Sequence, residues 1–117
     1  MKATIKLMWV NSPAIDLDSY FPADPRNFSL WLELKVGPED SVAADDYRVF
    51  VCTPEWLRDN VWEPRWGRHM LIVRSYDRSA IEKCVRDYVT EYTGDEWATM
   101  AIKIARNLAW EFEDYQG

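Results

Sequence analysis

The side chains able to do acid-base, nucleophilic or metal chemistry are few in this sequence, and their spacing suits none of these roles. His69 is the only histidine. A catalytic histidine needs an orienting partner on one side and a nucleophile or substrate proton on the other, and no recognisable motif assigns it either. An ordinary strand residue is the simpler reading; a small hydrolase pairing His69 with a nearby carboxylate is the catalytic alternative. Asp16 and Asp18 lie two apart, as in a cation-binding loop, yet no glycine turn or later bidentate acid follows at calcium-loop spacing. Cys52 and Cys84 lack metal spacing and, in a reducing compartment, read as buried small hydrophobes. No phosphate loop, dinucleotide fingerprint, zinc spacing or nucleophile elbow occurs, and glycines at 37, 67, 94 and 117 leave no flexible cradle for phosphate. Catalytic, cofactor-binding and metal-ligating residues are therefore assigned to none, and a binding module is expected over an enzyme.

Residue types that favour protein contacts are better represented. The net charge is -6. Residues 1 to 47 hold eight acids against four bases, residues 48 to 90 six against eight, and residues 91 to 117 six against two. Both ends are acidic, a distribution that repels nucleic acid and membrane phosphates and attracts a basic protein partner, although acidity can also serve solubility alone. The acidic turn carrying Asp45 and Asp46 is one candidate contact. A second is the stretch 58 to 68, where Trp62, Arg65 and Trp66 belong to the residue types that dominate binding hot spots. Its two indoles could equally fold inward as a satellite of the core. The closing Trp110 to Tyr115 alternates rings with Glu111, Glu113 and Asp114, as an extended segment with one apolar and one charged face would. Trp31 is a further candidate, on the outer face of a strand.

Hydropathy outlines the elements that must hold these residues. A chain of 117 residues can bury a real core without staples, so one domain over residues 1-117 is expected. With 29% charged and 48% hydrophobic residues the composition is globular, and no apolar run approaches the roughly 20 residues of a membrane span. Met1-Lys2-Ala3 leads into Thr4, Lys6, Asn11 and Pro13 without an apolar h-region, which predicts a cytoplasmic protein. Residues 3 to 10 read as a strand with Ala3, Ile5, Leu7 and Trp9 on one face and Thr4, Lys6 and Met8 on the other. Three prolines stiffen residues 11 to 26 into a surface loop. Phe28, Leu30, Leu32, Leu34 and Val36 alternate with Ser29, Trp31, Glu33 and Lys35 in the clearest strand, which Gly37-Pro38 ends. A third strand runs from about Tyr47 to Cys52.

Thr53-Pro54-Glu55 starts a short helix with Thr53 as N-cap, and a strand is expected from His69 to Tyr76. Ile81, Cys84, Val85, Tyr88, Val89 and Tyr92 form the stripe of a long helix begun at Asp77 or by the Ser79-Glu82 capping box. Thr93 to Glu96 reads as a second capping box, opening a helix with Trp97, Ala101, Ile104, Ala105 and Leu108 inward. The predicted fold is α+β: an antiparallel sheet of about four strands, two C-terminal helices packed on one face and a short extra helix. If the helices cover Ile5, Leu30, Leu32 and Val49, then Met8, Trp31 and Phe50 lie on the other face, a surface suited to a partner or a homodimer.

Several short pieces, in order, carry a family resemblance: Ser12-Pro13 with Ile15-Asp16-Leu17, Tyr20 with Pro22 and Asp24-Pro25, Asn27-Phe28, Val36-Gly37-Pro38, Val51-Cys52-Thr53-Pro54 with Trp56-Leu57, Gly67-Arg68-His69 with Leu71-Ile72-Val73, Tyr76-Asp77, Trp97, and Trp110 to Tyr115. Together they resemble the immunity protein 8 family of bacterial polymorphic toxin systems over nearly the whole chain. The resemblance implies a non-enzymatic protein whose partner is a cognate toxin domain, a nuclease among the candidates. It implies no catalytic residues. Val61 to Trp66 departs from the family pattern and is where partner specificity could lie. Because the closing segment is dense in family resemblance, Trp110 and Phe112 are expected to pin the chain end to the core. Asp45-Asp46 and the Trp62-Trp66 loop accordingly rank above Glu111 and Glu113 as contacts, and a homo-oligomeric adaptor is the alternative from another class.

Overall fold

The computed structural model describes residues 1-10 and 15-113; part of the expected stiff loop, and the candidate contact Asp114, lie outside the described residues. The elements follow in the order β1 (Ala3-Val10), β2 (Ile15-Asp16), a 3-10 turn (Leu17-Ser19), β3 (Ser29-Pro38), β4 (Asp45-Cys52), α1 (Pro54-Asn60), β5 (Met70-Ile72), α2 (Arg78-Thr90), α3 (Trp97-Ile104) and β6 (Ala109-Trp110). The α+β class is as expected, but the sheet is larger than four strands. Its order is β2-β1-β3-β4-β5, with β6 also paired to β4.

The long centre, β1-β3-β4, is antiparallel, whereas β5 runs parallel to β4. An all-antiparallel sheet therefore does not form. The chain leaves β4 at Cys52, crosses through α1 and returns in the same direction, as a parallel neighbour requires. One edge of β4 serves two strands end to end: β5 pairs with Phe50 to Cys52, and β6 with Tyr47 and Arg48.

Strand parity decides what each face carries. In β3 and β4 it follows the sequence pattern: Leu30, Leu32, Leu34, Val36, Tyr47, Val49 and Val51 are buried in one core with Ile81, Val85 and Val89 of α2 and Met100 and Ile104 of α3. In β1 the expected alternation fails halfway. The register with β3 shifts between Ile5 and Leu7, so Met8 pairs with Leu34 and Val10 with Leu32 on the core side. Leu7 and Trp9 are turned to the outer face, and Leu7 is 54% exposed. A bulge inserts one residue and flips every later side chain, and a run apolar at both parities conceals it.

Other boundaries depart for local reasons. The expected strand from His69 to Tyr76 is only three residues long: Val73 N-H makes a last bond to Cys52 O, the chain bends from Arg74 onward, and Tyr76 N-H binds Pro25 O instead. Of the two possible starts for α2, Asp77 is the one used: its Oδ1 accepts Ala80 N-H at 3.1 Å. The capping box expected at Thr93-Glu96 does not form. Thr93 is bridged to Lys2, and Gly94 exchanges hydrogen bonds with Met1, so this segment lies extended beside the start of β1 while Glu96 caps α3 without a side-chain bond. Cys52 is buried as expected, but Cys84 is exposed, since the stripe that α2 buries is the narrow row Ile81-Val85-Val89 and Cys84 falls on its flank.

Candidate functional site

The loop after α1 owes its position to the caps on either side. Thr53 is fully buried, and its Oγ1 accepts both Trp56 N-H and Phe28 N-H at 3.3 Å, so one hydroxyl starts α1 and ties it to the residue that leads into β3. Trp56 then lies edge-on to Phe50 (5.2 Å), which also meets Trp31 (5.0 Å), and the Arg48 guanidinium sits 3.8 Å over the Trp31 ring. This aromatic cluster on the outer face closes without the next two indoles. Trp62 is 84% exposed and Trp66 94%, so the inward satellite reading fails for both. Pro64 between them removes a backbone donor and keeps Glu63 out of helical conformation.

The far end of the loop is clasped to the C-terminal turn. Arg68 Nη1 pairs with Glu113 Oε2 at 2.5 Å. His69 adopts φ 58, a left-handed conformation that reverses the chain into β5. Its Nε2 lies 2.9 Å from Ala105 O and 3.4 Å from Glu113 Oε1. A carbonyl oxygen can only accept, so Nε2 carries the proton and the ring serves as a strut between loop, helix end and turn. The loop is thus held at both ends while its rings stand in solvent.

The acidic candidates come together where β6 meets β4, and each is engaged internally. Asp45 Oδ2 accepts the indole N-H of Trp97 at 2.9 Å and of Trp110 at 3.0 Å. Asp46 Oδ1 pairs with Lys35 Nζ at 2.6 Å, and its N-H donates to Glu111 Oε1 at 2.8 Å while Glu111 N-H returns a bond to Asp46 O. Beneath them Tyr47 is buried, stacks on Trp110 and donates its hydroxyl to Ala101 O at 2.9 Å. Burial, then the Asp45 charge, push the Tyr47 phenol well above its ordinary range. No local sequence signal announces this role for Asp45, because its donors lie 52 and 65 positions away.

Asp16 accepts Asp18 N-H at the start of the 3-10 turn, and Asp18 pairs with Arg78. Among the described residues, no group of three or more His, Cys, Asp or Glu side chains is placed to hold a metal. A groove of about 310 Å³ beside the loop, walled by Arg68, Ile102, Arg106 and Phe112, was not foreseen. The i, i+4 spacing of exposed Ile102 and Arg106 was its one available signal.

Residues 4-115 match the family model of immunity protein 8. This chain belongs to the immunity protein 8 family. No curated protein and no solved structure gives a match. The matched span takes in all the elements of the described residues except Ala3, the first residue of β1. No helix among the described residues is long and apolar enough to cross a membrane.

Proposed function

We propose that this immunity protein acts in the cytoplasm by binding a cognate toxin domain directly, covering its active site or its substrate path, with the Trp62-Trp66 loop at the contact. The observation that carries this reading is the exposure of two large indoles on a loop held at both ends. Rings presented in solvent by a fixed backbone can enter a partner pocket at little ordering cost, which is how hot spots are built. The phosphate-mimic version, in which acids occupy a nuclease's substrate groove, has less support, because Asp45, Asp46, Glu111 and Glu113 all hold internal partners. Coexpression with the toxin domain encoded by the neighbouring reading frame tests the reading: growth should be rescued and the two should co-purify, and failure of both sinks it.

A second reading is favoured by the outer sheet face, where Leu7 is exposed and Trp9, Trp31 and Phe50 are half-buried. A homodimer through that face would dissociate on dilution and on Trp31→Glu, as read by sizing at two concentrations. A mass independent of both removes it.

A further inference from the structure

We infer that the partner-facing surface is a cationic and aromatic patch, formed by the 61-67 loop together with the groove beside it, and that it docks on a carboxylate-rimmed apolar surface of the toxin. This rests on the reading that the protein binds its toxin directly. Trp66 precedes Arg68, the groove wall, by two residues, so chain connectivity keeps its backbone within about 7 Å of the groove. Ile102, 61% exposed, supplies an apolar floor away from the core.

Charge gives the chemistry of the occupant. The patch holds Arg65, Arg68 and Arg106 against Glu63 and Glu113, a net of +1 on a chain of -6, leaving -7 for all the rest. Arg68 and Glu113 neutralise each other. Arg65 and Arg106 make no ion pair among the described residues, so they carry the local field. Exposed guanidiniums next to indoles are the donors that recognise carboxylates in a desolvated interface. A basic toxin groove would instead be repelled here, at the place where the anchoring rings are presented.

The probe is the neighbouring reading frame's toxin domain, inactivated in its own catalytic residues, titrated with the full chain. Trp66→Ala and Ile102→Glu are each expected to weaken binding at least about 30-fold. Arg106→Glu should weaken it about 10-fold and slow association, while Arg106→Lys keeps most of the affinity. These side chains are exposed, and thermal melts of each variant confirm folding. Tighter binding by Arg106→Glu, or affinities within twofold of wild type for both Trp66→Ala and Ile102→Glu, overturns the patch while direct neutralisation stands. A wild-type chain that does not bind the toxin overturns both.

Discussion

Asp45 and Trp110 are 65 positions apart in sequence, and the indole N-H of one meets the carboxylate of the other at 3.0 Å. The same oxygen, Oδ2, also receives Trp97 from the start of α3. One half-buried carboxylate thereby joins β4, the third helix and the closing strand, in a turn whose composition suggests a solvent-facing acid.

Replacing that carboxylate should therefore cost stability before it costs recognition. Asp45→Ala strands two indole donors and is expected to lower unfolding stability by about 2 to 3 kcal/mol, the range for bonds to a charged acceptor. Trp62→Ala should stay within about 0.5 kcal/mol of wild type, as an exposed substitution does. Urea denaturation of both variants separates the roles, and equal midpoints would refute this assignment.

Alkaline pH should unfold the protein through its buried phenols. Burial raises Tyr47 and Tyr88 above the ordinary tyrosine value near 10, with the Asp45 charge adding at Tyr47 and the Tyr92 hydroxyl at Tyr88. A group raised in the folded state lends stability that is complete below the unfolded value and fades as pH climbs toward the folded one. Stability should thus fall from about pH 10 upward. Phenolate absorbance of these two rings should appear together with loss of tertiary circular dichroism; ionisation with the fold intact would refute it.

Gly37 is required by closeness rather than by dihedral angle. A Cβ there would lie 2.0 Å from Ala43 O, a backbone atom of the turn that follows β3. Gly37→Ala should cost about 2 kcal/mol or more, by forcing that turn away. A melting temperature unchanged from wild type would show that the turn yields freely.

The two thiols should differ sharply in reactivity. Cys84 is exposed, whereas Cys52 is buried and its thiol is pushed up by that burial. A thiol reagent should label one site per native chain, and the second only in denaturant. Cys84→Ser should abolish the fast reaction; labelling that persists at the same rate would contradict the placement.

Much of the fold is local, and that part could be read from residue patterns. The alternation in β3 separates core from outer face over its whole length, and Thr53 and Asp77 cap the helices they precede. What could not be read depends on contacts between distant segments. The β1 bulge hides because Leu7 to Val10 is apolar at both parities. The parallel β5 depends on which way the chain returns from α1, and β6 is too short to show a period. At the candidate site, the residue types of the Trp62-Trp66 loop were legible, but the direction of its rings was not. Phe50 already has Trp31 and Trp56 as ring partners, an arrangement that the spacing of the aromatics does not show.

Because β5 and β6 divide one edge of β4, the half beside Tyr47 and Arg48 stays bare until Ala109 and Trp110 arrive. On the ribosome those residues emerge after nearly every other partner is in place, so the sheet closes late and through contacts of long sequence separation. A chain cut short before residue 109 would lose more than a strand of two residues. It would carry an unpaired strand edge able to capture copies of itself, and is expected to aggregate rather than merely to fold less stably.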